Sequence, residues 1–329
     1  MITTREAPVP CWYLSQVGAM GGRLPLASAF QPILAAMGRK YPYWLVAAAT
    51  GDIVRTIGGY SLAAELVSKE VLEGAANVFG LTSELQLLSN ESAVEAMKEQ
   101  LARSIADARP ALVWCQNGND DWWYPLIGHD EGCRHLLWRS WGQTSHDYHG
   151  LNSERPDLIG NSAVCLFEPI SEAPTQPELA KRALHHAPRV FGQQAGYEDQ
   201  AQMLDGMEEA ENVNLQTIFS VARGFECILN SKRAAVEYCE RSIRLLPVQA
   251  EFLERAGFHF QRLVSLLAPA AADFGSIQSV PKMINREEKR KALANTYRVA
   301  ARFEERAVKE LEAVVAGPPA LVAERVRET

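Results

Sequence analysis

The pattern of apolar and polar positions changes near residue 172. Between residues 111 and 169, short apolar runs rich in Val, Leu, Ile and Trp are bounded by Gly, Asn, Asp or Pro. Runs of this kind are typical of β-strands joined by tight connections. They read ALVWCQNGND (111–120), WWYPLIGHDEG (122–132), HLLWRSWG (135–142) and SAVCLFEP (162–169). We therefore predict one antiparallel sheet, with a hairpin loop in which Gly132 can take positive φ.

Segments with a helical period precede the sheet. LASAFQPILAAMG (26–38) ends at a glycine suited to a helix C-terminus, and a second helical segment covers 61–80. SNESAVEAMKEQLARSIADARP (89–110) begins with Ser89 or Asn90 as a cap. In this segment apolar residues recur every fourth position, on one helix face. Helices and sheet together predict a mixed domain over residues 1–172.

The pattern becomes helical after a Pro-rich connector, EAPTQPE (172–178). The clearest stretch is 285–317, where apolar residues step by three and four positions apart from one gap of seven. Asn285 and Glu288 have the spacing of a capping box, and Pro247 suits the first turn of a helix. We predict a bundle of about four or five helices over residues 173–329. The expected fold class is therefore α+β, with an all-α domain after the mixed one.

The amino-acid composition limits which binding partners and which cellular compartment we expect. The 329 residues are 47% hydrophobic and 22% charged, which suits a globular chain with one large or two moderate cores. A net charge of −7 gives no electrostatic basis for binding nucleic acid or an anionic membrane. We see no secretory signal and no span of about 20 apolar residues. The six scattered cysteines lack a C-x-x-C pair, so we expect a reduced, cytoplasmic protein.

The order of elements and several short motifs resemble a known family. Pro10 and Gln16 precede a helix that ends at Gly38, and LARSIADARPALVWCQ leads into the hairpin DWWYPLIGHDEGCRHLLWRS. This order resembles the papain-like fold of bacteriocin-leader-processing peptidases. It is more similar to the family of the butirosin-pathway acyltransferase, in which a helical C-terminal domain follows. DARPALV (107–113) and PLIGHDE (125–131) match the family's strand-entry and hairpin motifs. Two later segments resemble its helical domain, RALHHAPRVFGQQAGYEDQAQML (182–204) and SKRAAVEYCERSI (231–243).

The resemblance covers most of the chain and implies acyl chemistry in bacterial natural-product biosynthesis. It implies transfer of an acyl or aminoacyl group from a carrier protein to an amine, or cyclisation or release of a tethered chain. A papain-like enzyme needs a thiolate at the N-terminus of its first helix, together with a histidine and an Asp or Asn. RLPLASAF (23–30), DWWYP (121–125) and LWRSWGQ (137–143) hold none of the three. We therefore expect a degenerate papain-like domain that acts without a cysteine nucleophile.

Three residues are the catalytic candidates. His129 ends a strand where the resembling family has a tyrosine, and a histidine there is a candidate general base; the alternative is a histidine bonded to its own turn. Asp121 is a second acid–base candidate. Ser28 is the hydroxyl nearest the vacated nucleophile position, and its alternative is a capping or buried serine. Cys11 is a substitute thiol, unless it is a partly buried core residue.

Acidic and aromatic residues of the hairpin are the substrate-binding candidates. Asp120 and Asp121 beside tryptophans can attract an amine by charge and by cation–π contact, or form only a polar turn. Since successive strand residues point to opposite faces, at most one of Trp122 and Trp123 can line a cleft. Gln16 matches the oxyanion-hole glutamine of the resembling family. We assign substrate binding to Gln16, Asp120, Trp122, Trp123 and Tyr124.

A metal site is the less favoured interpretation of the histidines around the hairpin. Nitrogen and sulfur atoms sufficient for zinc occur here, yet no familiar ligand spacing emerges from His129, Cys133, His135, His146 and His149. We expect no metal and no cofactor. The expected partners are a small-molecule or carrier-bound substrate and an acyl carrier protein, and a homodimer is compatible. The alternative function is a non-catalytic protein that binds a carrier protein or scaffolds partner enzymes.

Overall fold

The computed structural model describes residues 11–13, 20, 24–54, 69–115, 122–130, 135–138, 149–152, 162–191, 196–207, 215–276 and 278–316. The chain forms two compact units. The first unit comprises Met1–Val46 and Leu62–Pro174, and the second comprises Ala47–Ser61 and Thr175–Thr329. The boundary after Pro174 lies two residues beyond the predicted domain boundary after residue 172. Residues 47–61 group with the second unit, although the sequence pattern placed them in the first domain.

An antiparallel sheet organises the first unit. Its described strands run in the order β2-β7-β3-β4-β5-β6, and β1 also pairs with β4. The mixed helix-and-sheet class of the α+β prediction is thereby confirmed. The predicted runs correspond to β3, β4, β5 and β7, whereas β1, β2 and β6 were not predicted as strands. The bounds are β1 (Cys11–Tyr13), β2 (Leu81–Leu87), β3 (Ala111–Cys115), β4 (Trp122–Asp130), β5 (His135–Trp138), β6 (His149–Asn152) and β7 (Ser162–Pro169).

Strand β4 lies at the centre of this pairing. Its first half pairs with β3 and its last three residues pair with β1, so these two strands share one of its edges. Strand β5 pairs along the opposite edge, with a shift of register between Leu126 and Gly128. A bulge of this kind bends a strand and redirects side chains. The end of β4 is therefore held from both sides just after its irregular position.

The described helices of the first unit are α1 (Pro25–Ala36), α2 (Tyr43–Ala49), α3 (Lys69–Val78) and α4 (Glu91–Ala106). Three of these four helices overlap the predicted segments 26–38, 61–80 and 89–110, whereas α2 was not predicted. Pro25 occupies the first turn of α1, where its missing N–H costs nothing. Asn90 caps α4, because its side-chain oxygen accepts the Ala93 N–H at 2.9 Å. The cap is thus Asn90 and not Ser89.

Helices cover both faces of the sheet. The Phe30 ring of α1 lies 5.2 Å from the ring of Phe167 on β7. On the other face, the Gln86 side chain of β2 donates to Gln100 of α4. Phe167 is paired with Ser83, which differs from Gln86 by an odd number of positions and therefore faces the opposite way. Helices α1 and α4 consequently pack on opposite faces.

The elements of the second unit are helical throughout its described part. Their bounds are α5 (Gln176–Phe191), α6 (Tyr197–Asp205), α7 (Leu215–Leu245), α8 (Ala250–Leu267), α9 (Ala271–Phe274), α10 (Val280–Ile284) and α11 (Glu287–Ala316), with 3-10 turns at Pro247–Gln249 and Ala268–Ala270. Phe225, Leu263 and Tyr297 lie in a core shared by α7, α8 and α11. None of the described helices has the length and hydropathy needed to cross a membrane.

Caps in the second unit differ from the prediction. Asn285 terminates α10, and α11 begins only at Glu287, so Asn285 and Glu288 do not form the predicted capping box. A capping box occurs instead at α5. The Thr175 N–H donates to the Glu178 carboxylate at 2.8 Å, and the Glu178 N–H donates to the Thr175 hydroxyl oxygen at 3.5 Å. Asn285 is the C-terminal cap of the short helix α10, so α11 cannot begin there and starts two residues later.

Candidate functional site

The candidate site begins at the N-terminus of α1, where two hydroxyl groups meet. Ser28 lies in the first turn and its side chain is fully buried. Its Oγ lies 3.1 Å from the hydroxyl oxygen of Tyr43 on α2. The Leu24 N–H donates to both oxygens, at 3.2 Å and 3.0 Å. The two hydroxyls therefore accept the N–H of the residue that precedes the helix, a role that a glutamate takes in a capping box.

Tyr43 is a site residue that sequence reasoning missed. It lies 15 positions from Ser28 and on a different helix, so no spacing pattern links the two. Its side chain is partly exposed, whereas Ser28 has no exposed surface. Of the two residues, Tyr43 is therefore the one with exposed surface. Ser28 lies in the first turn of α1, where the helix dipole favours negative charge.

His129 is part of the sheet and not of a turn. Its backbone pairs with Trp12 of β1 on one edge and with Leu136 of β5 on the other. Its side chain is 8% exposed. The bulge at 126–128 comes directly before it, so its direction does not follow from simple alternation along β4. The structure thus places His129 in a fixed, largely desolvated position near the end of the strand that α1 contacts.

The aromatic residues of β4 divide between the two faces of the sheet. Trp123 pairs with Trp114, which pairs with Ala163, and these positions share the face of Phe167 and α1. Trp123 is fully buried, and its ring lies 5.9 Å from the Trp114 ring at an angle of 57°. Tyr124 points to the opposite face and is 3% exposed. Both residues fill the interior on their own faces, so their assignment to substrate binding stays a prediction.

Several candidates cannot be placed in the same way. Gln16, Asp120 and Asp121 lie outside the described residues, as do Cys133 and His146. Of Trp122, the structure describes the backbone position in β4; the same holds for the strand residues Cys11, His135 and His149. Within the described part of the chain, no group of three or more His, Cys, Asp or Glu side chains could hold a metal ion.

Three described cysteines are poor nucleophiles. Cys165, Cys227 and Cys239 are free and buried. Burial raises the pKa of Cys227 to about 12 and raises the pKa of the other two thiols as well. Because the thiolate is the reactive form, these residues stay protonated and unreactive near neutral pH. They behave as the small core residues that their apolar surroundings in the sequence predict.

A buried ion pair in the second unit was also missed by the sequence analysis. Lys232 of α7 and Glu304 of α11 are both fully buried and hydrogen-bonded to each other. Lys232 Nζ also donates to the carbonyl of Ile53 at 3.3 Å, and the Ser231 hydroxyl donates to the Asp52 carbonyl at 2.6 Å. Burial lowers the pKa of Lys232 below its ordinary value, and Glu304 opposes that shift. The pair thus ties residues 52–53 to α7.

A sequence signal for this pair did exist. Lys232 stands among apolar residues three and four positions away, such as Ile228, Leu229 and Ala235, all of which are buried. A charge on an apolar helix face indicates a buried partner. The sequence does not show that the partner is Glu304, 72 positions away.

Comparison with known proteins adds no family assignment. A scan against models of protein families finds no match, and a search of curated proteins finds none either. The likeness to the butirosin-pathway acyltransferase family therefore rests on the short sequence motifs alone.

Proposed function

We propose that this protein acts on an acyl or aminoacyl group of a carrier-bound intermediate in natural-product biosynthesis, without a cysteine nucleophile. It transfers, cyclises or releases that group. In this proposal the first unit is a degenerate papain-like domain and the second is a helical bundle. The observation that carries the proposal is the hydroxyl pair of Ser28 and Tyr43, at the helix terminus where the resembling family has its nucleophile.

The pair can stabilise charge that develops on a substrate. When an amine attacks a thioester carbonyl, the C–N bond forms and the carbonyl oxygen becomes an oxyanion. Hydroxyl donors at a helix N-terminus stabilise such an oxyanion. The C–S bond then breaks, which releases the carrier thiol and leaves an amide. In this scheme Tyr43 is the donor that the substrate meets, because Ser28 is fully buried.

His129 and Asp121 are the proposed acid–base residues. The attacking amine must lose a proton, and the departing thiolate must gain one. A histidine on a rigid strand can accept the first proton and return it to the sulfur. Substrate contacts are assigned to Gln16, Asp120, Trp122, Trp123 and Tyr124. Orientation of the two reactants then supplies the rest of the rate, as expected for catalysis without a covalent intermediate.

The test uses a simple acyl donor and the full chain. The protein is incubated with the N-acetylcysteamine thioester of octanoic acid and with butylamine, and amide formation is followed by mass spectrometry. We expect Tyr43→Phe and His129→Gln to lower the rate about 100-fold, the usual effect of removing one oxyanion donor or one general base. The matched control is Tyr41→Phe, which removes a hydroxyl that donates to the Pro174 carbonyl, away from the Ser28–Tyr43 pair. Equal rates in all four proteins would reject the proposed roles.

A non-catalytic protein that binds a carrier or scaffolds other enzymes is the second candidate. It is favoured by the complete burial of Ser28 and by the packing of Trp123 on Trp114 in the interior. Native mass spectrometry with an acylated carrier protein separates the two functions. Binding without turnover supports the scaffold, and binding with product supports the enzyme. A covalent adduct on Ser28 or Cys11 would instead indicate a hydrolase with a nucleophile of its own.

A further inference from the structure

A pocket in the second unit lies between the C-terminal end of α6 and the first turns of α11. We call it the α6–α11 pocket. Its volume is about 390 Å³, within the range of small-molecule sites. It contains both apolar and charged groups, chiefly from Leu204, Asp205, Met207, Glu287, Arg290 and Lys291. The pocket belongs to one unit, so its geometry does not depend on the first unit.

Arg290 is the unusual residue of this pocket. It is only 5% exposed, and its Nη1 donates to the carbonyl of Ile284 at 2.5 Å. A guanidinium has five N–H donors. Among the described residues, the Arg290 guanidinium has no second hydrogen bond and no ion pair within 4 Å, yet Arg290 lines the pocket. A buried cation with unused donors is costly unless something in the pocket accepts them.

The acidic groups of the pocket already have other partners. Glu287 forms an ion pair with Lys291, one helix turn further on. Asp205 forms an ion pair with Arg298 at 2.6 Å. Each carboxylate is thus hydrogen-bonded to another cation, and within the described residues neither accepts a hydrogen bond from the Arg290 guanidinium. Arg290 also lies near the N-terminus of α11, where the helix dipole disfavours a cation and favours an anion.

The pocket favours one class of anion. Glu287 and Asp205 lie in the same pocket and repel a doubly charged group such as a phosphate dianion more strongly than a singly charged carboxylate. The planar guanidinium can bind the two carboxylate oxygens through parallel N–H donors. Met207 is partly exposed and provides an apolar surface beside the charge, whereas Leu204 is almost fully buried. We propose that the α6–α11 pocket binds a monocarboxylate with an apolar body, held by Arg290. This site is separate from the proposed function.

Calorimetric titration of the full chain with octanoate tests the site. We expect saturable binding that weakens at least about tenfold in Arg290→Gln, because a charge-assisted interaction is lost. Glutamine retains an amide donor for the Ile284 carbonyl, which limits damage to the fold. Arg290→Lys keeps the charge but not the planar fork, so it should fall between the two. The matched control is Arg286→Gln, an exposed cation that precedes α11 and does not line the pocket; its affinity should equal that of the wild type.

A second variant protects the test against misfolding. Met207→Glu places a carboxylate in the pocket without touching the Arg290 bond, and it should abolish octanoate binding while the melting temperature shows a folded protein. The inference is overturned if the wild type shows no saturation by about 10 mM octanoate, beyond the range of a useful charged contact. It is also overturned if Arg290→Gln binds as well as Arg286→Gln, or if inorganic phosphate or octylamine binds more tightly than octanoate.

Discussion

The two units bury polar groups by opposite physical means. In the first unit, Ser28 and Tyr43 share a neutral contact and accept one backbone N–H. In the second unit, Lys232 and Glu304 form an ion pair with no exposed surface. A neutral group left without its partner costs about 1–3 kcal/mol, while a buried charge left alone costs about 3–5 kcal/mol. The first pair can therefore change partners during a reaction, whereas the second fixes the architecture.

The largest expected effect comes from breaking the ion pair on one side. Glu304→Leu leaves the Lys232 ammonium buried with the Ile53 carbonyl as its remaining described partner. We expect the free energy of unfolding to fall by about 3–5 kcal/mol. The double variant Lys232→Met/Glu304→Leu should regain most of that loss, since paired burial of charges is often no better than an apolar contact. Urea unfolding of the wild type and the two variants measures both effects.

Glu305→Gln provides the control for this experiment. Glu305 is exposed, neighbours Glu304 and pairs with Lys309 one turn away. Exposed pairs of this kind contribute about 0.3–0.5 kcal/mol. If Glu304→Leu were no more costly than Glu305→Gln, the ion pair would not fix the architecture and the contrast between the units would fail.

The pH dependence of the same variant is the next largest effect. The pKa of Lys232 is lowered in the folded protein, chiefly by burial, and Glu304 raises it again. Between the lowered pKa and the ordinary value near 10.4, the unfolded chain binds more protons than the folded one, so stability rises with pH. Glu304→Leu removes the carboxylate that raises the pKa of Lys232, so the pKa in the folded variant falls further. The pH range over which stability rises with pH then extends to lower pH.

The expected result is a variant that recovers as the solution becomes alkaline. The difference in unfolding free energy between Glu304→Leu and the wild type should shrink by up to about 1.4 kcal/mol per pH unit towards pH 10. Urea titrations at pH 7, 8.5 and 10 measure it, and taking the difference cancels the titration of other groups. A difference that stays constant over this range would show that Lys232 does not titrate there in the variant.

The described part of the first unit also contains a buried arginine side chain, which lies beside backbone carbonyls. Arg39 is 6% exposed and donates to the carbonyls of Phe79, Gly80 and Ser171, the last at 2.7 Å. Gly80 has φ +72°, and a Cβ there would lie 2.2 Å from the Ser171 hydroxyl. We expect Arg39→Met to cost about 2–3 kcal/mol, because hydrogen bonds to a charged donor are lost and carbonyls are left unsatisfied.

Arg109→Met is the matched control for Arg39→Met. Arg109 pairs with Asp107 and Glu168 at a partly exposed position, so its loss should cost no more than about 1 kcal/mol. Urea unfolding again gives the comparison. Equal costs would mean that carbonyl partners do not hold Arg39 more firmly than surface carboxylates hold Arg109.

These contacts show which parts of the fold a sequence pattern can predict. Alternation and apolar runs locate β3, β4, β5 and β7 because those strands are buried and their periodicity is strong. Strand β2 reads LTSELQL, too polar to stand out, and it becomes a strand through its pairing with β7. The β-propensity of these residues is weak, so pairing with the neighbouring strand determines that the segment is extended.

The candidate site is less predictable for a related reason. Ser28 was predicted as a candidate because it lies near the nucleophile position of the resembling family, and His129 because it stands where that family has a tyrosine. Tyr43, Lys232 and Arg290 were not predicted, since their roles depend on contacts between elements distant in sequence. Side-chain partners of that kind carry no periodic signal.

The smallest effect concerns the hydroxyl pair itself. Ser28→Ala and Tyr43→Phe should each cost about 1 kcal/mol, the net value of one hydrogen bond. The Leu24 N–H donates to both oxygens, so each single variant still leaves it one acceptor. The double variant removes both of these acceptors of the Leu24 N–H. Its cost in unfolding free energy should therefore exceed the sum of the two single costs by about 1 kcal/mol. Ser104→Ala, which loses a bond to the Arg109 carbonyl, is the control, and its cost in unfolding free energy should simply add to that of either variant. Urea unfolding measures how far the double variant departs from the sum of the singles.

The same variants compare stability with activity. If Tyr43→Phe lowers amide formation far more than it lowers stability, the pair is held loosely enough to exchange a backbone partner for a substrate, which a buried ion pair could not do.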